Sequence, residues 1–265
     1  MPTTTIRIMD PSDEYYAGTC SHVSESAEID ACARRRLEWI AHATPKGARV
    51  LVAHTDAERS GFLFLIPIEI CPWGPLGEDL LVIPCLSVPK THAGHGVGAA
   101  LLAEAEAECH RQRRKGLVVL AYRHDFWFMP AGYFERQGYS AVRTEGRSEI
   151  LWKIFDLSAK PPVPLRRHYE FEPVQGRVAV DLFWNTFCET SNIEAERVRE
   201  VAAEFGDSVQ LRLHCADERS TLLRYQIPRG IFVNGREIGW GYEAPRDGIR
   251  QAIREALAAP APDPA

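Results

Sequence analysis

Four prolines, Pro161, Pro162, Pro164 and Pro173, fall within the stretch DLSAKPPVPLRRHYEFEP that runs from Asp156 to Pro173. Proline fixes φ and has no amide proton, so neither a helix nor an inner strand passes easily through such a stretch. The residues that precede the prolines are pushed toward extended backbone as well. The chain of 265 residues is therefore predicted to fold as two α/β bodies, residues 1–156 and 174–259. A semi-rigid Pro-rich linker over 157–173 would join them. Residues 260–265 close the run APAPDPA and are predicted to fray. No internal repeat relates the two halves.

Hydrophobic residues make up 45% of the chain and charged residues 25%, an ordinary globular balance. A net charge of -5 gives no general attraction to nucleic acid or to an anionic membrane, so neither is expected as a partner. No window approaches the roughly 18 apolar residues of a membrane span. The N-terminal run MPTTTIRIMDPSDEYY has no basic region followed by an apolar core, so no signal peptide is expected. The seven cysteines, 20, 32, 71, 85, 109, 188 and 215, form no CxxC pair and no zinc spacing. Reduced thiols, a cytoplasmic location and no metal site follow as expectations.

In the first half, TIRIM, ARVLVAHT, GFLFLIPIEI, LLVIPCLSV and GLVVLAY read as strands, and AEIDACARRRLEWIAHA reads as a helix. The stretch HAGHGVGAALL, His92 to Leu102, places glycines at 94, 96 and 98 ahead of another helical pattern. In that helix Val97, Leu101, Ala105 and Cys109 recur at helical spacing, with Glu104, Glu106 and Glu108 between them as its polar side. PAGYFERQGY reads as a short helix started by Pro130 and stopped by Gly138. SAVRTEG and SEILWKIF close the sheet.

Glycine at a helix mouth costs folding entropy, so bare backbone must be needed there. A phosphate loop of the GK[ST] type is excluded, because Ala99 and Ala100 follow Gly98. A dinucleotide turn should follow its strand directly, and here PKTHA intervenes. A pyrophosphate cradle of free amides at the helix N-terminus and a plain glycine-rich loop stay open on the residues alone.

IPCLSVPKTHAGHGVGAALL resembles motif A of the GNAT-type N-acetyltransferases, and PAGYFERQGYSAV resembles their later A-x-F-Y-E-x-x-G-F segment. The resemblance covers roughly residues 5–155. It implies a mixed sheet whose fourth and fifth strands splay apart, with acetyl-CoA as co-substrate. The pantetheine arm would pair with the backbone of Leu86 and Val88. The pyrophosphate would lie on the amides of His95, Gly96, Val97, Gly98 and Ala99. Two positions depart from the family. Ala93 stands where Gln or Arg is usual, with Lys90, His92 or His95 nearby to replace it. Phe134 stands at the proton-donating tyrosine, and Tyr133, one place earlier and about 100° round an ideal helix, is expected to point elsewhere. Tyr139 is the expected replacement donor, or water. For the general base Glu69 is the first candidate, at a strand end facing the cleft, followed by Glu78 and Asp79. Cys85 reads as a small buried apolar residue, an acetyl-cysteine being the sharper alternative.

In the second half VAVDLFWN, VQLRLHCA, GIFVNG and REIGWGY read as strands, and NIEAERVREVAAEFG, STLLRYQ and PRDGIRQAIREAL as helices. FWNTFCETSN, Phe183 to Asn192, resembles the thioredoxin site F-W-A-x-W-C-x-x-C-K. Cys188 takes the nucleophile's place and Ser191 that of the resolving cysteine. YQIPRGIFVNGREI resembles the same family's later strand, which would make Pro228 its cis-proline. The resemblance covers roughly 176–258 and implies a smaller thioredoxin-like domain. A thiol opening a helix has its thiolate stabilised, so Cys188 reads either as a reactive thiol or as part of a purely structural domain. Without a second thiol beside it, Cys188 is expected to act alone, with Cys215 as the one conceivable partner. The two halves together resemble the bacterial YoaP-like group. The expectation is a transferase that acetylates an amine of a small molecule, including sulfur-bearing ones. The alternative is a thiol-binding or redox adapter whose first domain only binds coenzyme A. A homodimer is compatible with either.

Overall fold

The computed structural model describes residues 3–123, 128–145, 148–240 and 243–259. The tail at 260–265 lies outside them, as do Gly146, Gly241 and Tyr242 of the strand readings. The chain divides into two compact units, Met1–Leu165 and Arg166–Ala265.

The first unit runs β1 (Thr4–Ile8), α1 (Glu14–Gly18), α2 (Ala27–Ala43), β2 (Arg49–Thr55), β3 (Glu58–Pro67), β4 (Leu80–Ile83), β5 (Leu86–Ser87), α3 (Val97–Arg111), β6 (Gly116–Tyr122), α4 (Ala131–Arg136), β7 (Ser140–Glu145) and β8 (Ser148–Ile154). The strands form one mixed sheet in the order β1-β2-β3-β4-β6-β8-β7, and β5 adds to β3. Alternation along the strands divides the core between two faces. Leu51, Leu63, Leu65, Leu117 and Val119 join Leu101 and Ala105 of α3 in one buried cluster. On the other face Phe62 packs edge-on against Tyr16 of α1 with centroids 5.8 Å apart. The fully buried Arg36 of α2 stacks 4.4 Å over Phe64. Ser26 starts α2 by accepting the Ile29 amide at 3.2 Å, the capping that its residue type favours.

Val97, Leu101, Ala105 and Cys109 of α3 are all buried, as their spacing predicts. Glu108 departs from the expected polar side. It is buried, and it holds Arg49 of β2 at 3.2 Å and Arg111 at 2.7 Å. A long acidic side chain at the margin of an apolar stripe can turn inward when a neighbouring strand presents an arginine.

The second unit runs β9 (Val178–Trp184), α5 (Glu189–Glu204), β10 (Val209–Cys215), α6 (Arg219–Tyr225), β11 (Gly230–Val233), β12 (Arg236–Ile238) and α7 (Arg246–Ala258). Its sheet has the order β10-β9-β11-β12, with β10 parallel and β11 antiparallel to β9. Val178, Val180 and Leu182 pack with Val198 and Val201 of α5 and with Ile249 and Ile253 of α7. Asp181 and Phe183 alternate onto the opposite face.

The predicted linker is shared between the units. Val163 exchanges two backbone hydrogen bonds of 2.8 Å with Leu76 in the first unit. In the second, the His168 amide donates to the Tyr225 carbonyl at 2.9 Å, and the Tyr169 hydroxyl donates to Asp181 at 2.8 Å. Extended backbone between prolines leaves its peptide groups unpaired, and neighbouring segments supply the partners.

Candidate functional site

β4 and β6 run parallel from Leu80 opposite Gly116 to Ile83 opposite Val119. Pro84 follows and has no amide to continue the ladder. The next residues pair with β3 instead, Leu63 opposite Leu86 and Phe62 opposite Ser87. β6 continues to Tyr122, so an opening forms between β5 and the end of β6. The Phe64 amide donates to the Cys85 carbonyl at 3.0 Å. Strand alternation then turns the peptide groups of Leu86 and Val88 away from β3, toward the opening. Gly61 permits the close approach of β3, since a Cβ there would stand 2.8 Å from the Ser87 carbonyl oxygen.

The glycine turn lies at the same end of the sheet. Gly94 and Gly96 have φ of 80° and 81°, and a Cβ on either would meet nothing within 4 Å. Their requirement is left-handed backbone, not space. Both are exposed, as is His95. Gly96 caps α3 without any side-chain hydrogen bond. Helix geometry therefore leaves the amides of Val97, Gly98 and Ala99 without intrahelical acceptors, at the positive end of the helix dipole. Lys90, His92 and His95 surround the turn, each exposed or half-buried.

The third glycine has a different cause. A Cβ on Gly98 would stand 2.5 Å from the Tyr133 hydroxyl and 3.8 Å from Val88 Cγ2. The end of β5, the start of α3 and helix α4 converge there. This corrects the expected direction of Tyr133. Ala131 and Phe134 are the buried residues of α4, so Tyr133 at their margin leans onto α3 rather than away from it. Its hydroxyl is buried and has no hydrogen-bond partner among the described residues. Burial raises its pKa, so the proton stays on. Phe134 is 1% exposed and packs between Tyr133 and Tyr139, at 5.2 and 5.7 Å.

Tyr139 is not at the opening. It is 3% exposed and sits where Glu106 and Cys109 of α3 bear on its hydroxyl, which burial pushes far up. Those residues lie about 15 and about 20 Å along the helix from Gly96. Core packing against α3 accounts for its place.

Glu69 also departs from expectation. β3 ends at Pro67, and Glu69 lies in the turn beyond it. Its carboxylate accepts from Arg114 at 2.9 and 3.1 Å and from the Asp79 amide at 2.8 Å. Asp79 and Arg114 precede the first residues of β4 and β6, so Glu69 stands at the opposite end of these strands from the opening. An arginine and a free amide at the strand starts hold it there. Asp79 pairs with Lys115 at 2.9 Å and Glu78 with Lys160 at 2.6 Å. Cys85 stands at the opening and is half-buried, not a core residue.

In the second unit Cys188 is the N-cap of α5 and half-buried. Its amide donates to Asn185 Oδ1 at 2.8 Å. Ser191 is 1% exposed, and its hydroxyl accepts the Asn185 amide at 3.0 Å, closing the turn before the helix. Cys215 ends β10, and burial pushes its thiol up to about 12. The Ile227–Pro228 peptide bond is trans; the cis bond among the described residues is Gly74–Pro75. Gln226, with φ of 52°, already reverses the chain after α6, and the Pro228 carbonyl accepts from Asn185 Nδ2 at 2.9 Å. Cys188 and the glycine turn belong to different units. The close approach at Gly61 and the contact of the Tyr133 hydroxyl with Gly98 carry no local signal in the sequence.

Among the described residues no group of three or more His, Cys, Asp or Glu is placed to hold a metal ion. No described helix is long and apolar enough to cross a membrane.

No family model matches the chain, and no curated protein does. Solved structures resemble part of it. The PaiA N-acetyltransferase of Thermoplasma acidophilum in complex with coenzyme A is 17% identical, with a TM-score of 0.41, covering 58% of this chain and 99% of its own. A GNAT family acetyltransferase from Brucella melitensis in complex with acetyl-CoA is 20% identical, with a TM-score of 0.39, covering 61% of this chain and 95% of its own. The GNAT family N-acetyltransferase YhbS of Escherichia coli in complex with CoA is 17% identical, with a TM-score of 0.39, covering 58% of this chain and 82% of its own.

Proposed function

We propose that the first unit binds acetyl-CoA and transfers the acetyl group to an amine of a small molecule, sulfur-bearing amines included. The observation that carries this reading is the exposed, left-handed Gly94–Gly96 turn, which presents uncapped α3 amides beside the opening between β5 and β6. The amides of His95 to Ala99 suit a pyrophosphate, and the outward peptide groups of Leu86 and Val88 suit an amide-bearing arm. Acetyl-CoA supplies a thioester carbonyl for attack by a neutral amine, with the C–S bond breaking and coenzyme A leaving as thiolate. Tyr133, between Val88 and Gly98, is the group that gives its proton to that thiolate and recovers it from solvent. With Glu69 held at the far end, the amine's proton passes to water.

The second unit is read as thioredoxin-like. The β9-α5-β10 unit with Cys188 capping its helix supports this, and Ser191 leaves Cys188 a monothiol. That placement also keeps the adapter reading in view, in which the first unit binds coenzyme A without turnover.

Release of free coenzyme A separates the two. The enzyme releases it faster when a panel of small amines is added, whereas the adapter does not. Both require acetyl-CoA to raise the melting temperature, as any ligand selective for the folded state does. Absence of that shift at millimolar ligand, or retention of it in Gly96→Asp, would remove the glycine turn as the site.

A further inference from the structure

The face of the second sheet opposite α5 and α7 carries a polar cavity of about 610 Å³. Asp181 of β9 forms its floor and is only 2% exposed. Arg212 grips this carboxylate through Nε at 2.7 Å and a terminal nitrogen at 2.6 Å. The Tyr169 hydroxyl donates to it at 2.8 Å, and His214 Nε2 lies 2.9 Å away. The floor is thus a saturated, preorganised network whose charge is already met. His214 is further fixed by stacking on Phe183 at 4.6 Å and by Tyr225 at 4.8 Å.

The rim differs. Arg167 is engaged by Glu237. Arg224 lies over the Tyr225 ring at 4.9 Å and forms no ion pair among the described residues. Glu170 and Glu172, which also line the cavity, form none either, although the Glu172 charge acts on Arg212. Unpaired charges on an open surface are ordinary. Here both signs border one cavity with a rigid floor and aromatic walls, within the size range of small-molecule pockets and too large for a single ion.

We propose that this cavity binds a short zwitterionic peptide or amino-acid derivative. Its carboxylate lies on Arg224, its ammonium on Glu170 or Glu172, and its chain against Tyr169 and Tyr225. The proposal is independent of the acetyl-transfer reading, whose residues lie in the other unit.

The test is titration of the full-length, isotope-labelled protein with three probes, followed by amide NMR shifts. The probes are triglycine, N-acetyltriglycine and triglycine amide. Triglycine should saturate at millimolar concentration and move signals from 167–172 and 212–225. Each singly charged probe should bind about fivefold to tenfold more weakly, the loss of one charged contact. Arg224→Gln should weaken triglycine and N-acetyltriglycine but not triglycine amide, and Glu170→Gln with Glu172→Gln should weaken triglycine and triglycine amide but not N-acetyltriglycine. Both sites are exposed, so the remaining spectrum reports that the fold is intact. No saturable shift with triglycine, equal affinity for all three probes, or shifts centred elsewhere would each overturn the assignment.

Discussion

Tyr133 and Gly98 specify each other. The tyrosine hydroxyl occupies the space that any larger residue at 98 would need. Tyr133→Phe should leave the melting temperature nearly unchanged and lower turnover about a hundredfold, the usual worth of a positioned proton donor. An unchanged rate of coenzyme A release would show that water protonates the thiolate. Gly98→Ala should lower both stability and turnover. Combined with Tyr133→Phe it should cost less stability than alone, because the shortest contact has been removed. At the same scale, burial pushes the thiols of both Cys109 and Cys215 up to about 12. At pH 8 roughly one Cys215 in 10⁴ is then a thiolate. Iodoacetamide mapping of the folded protein should find neither residue labelled before Cys188. A fast Cys188–Cys215 disulfide would contradict this.

Helix α3 has two jobs that its residues divide. Its first turn presents amides, and its remaining length buries Leu101, Ala105 and Cys109 against the sheet. Gly94→Ala and Gly96→Ala should each cost about 1–2 kcal/mol, the penalty of left-handed backbone for an L-residue, and should weaken coenzyme A binding. Leu101→Ala should cost about 2–5 kcal/mol and leave the turn's conformation alone. Glu108 ties the helix to β2. Burial tends to raise its pKa, but hydrogen bonds from Gln112 and Arg111 and the charge of Arg49 outweigh it, so the net direction is down. A depressed carboxylate contributes stability above its unfolded value and loses it as pH falls through the folded one. Between about pH 6 and pH 3 the melting temperature of Glu108→Gln should therefore fall less than that of the wild type. Equal slopes would mean that Glu108 contributes no pH-dependent stability.

At the scale of the molecule, each unit has its own buried cluster. Val163 is bonded to Leu76 in one unit, and His168 and Tyr169 to partners in the other. A chain ending at Leu165 should therefore fold and keep its acetyl-CoA-dependent rise in melting temperature. Loss of that rise in a folded fragment would make the second unit part of the coenzyme A site.

The helix at Ala27–Ala43 and the strand at Gly116–Tyr122 occupy the residues their patterns predict. Ser26 and the periodicity of apolar residues act within a few positions, so they are local information. The glycine turn is legible for the same reason, since left-handed backbone is a property of the residue itself. LLVIPCLSV reads as one strand, yet Pro84 divides it and sends its second part to β3. A position near a strand end points Glu69 to the opening, and an ideal helical angle points Tyr133 away from it. Their places depend on Arg114, 45 residues away in sequence from Glu69, and on the glycine that lets a ring lie against α3. Composition and period determined which elements form. Which side chains reach the opening was decided by packing between elements, because charge partners and ring contacts act through space and leave no repeat in the chain.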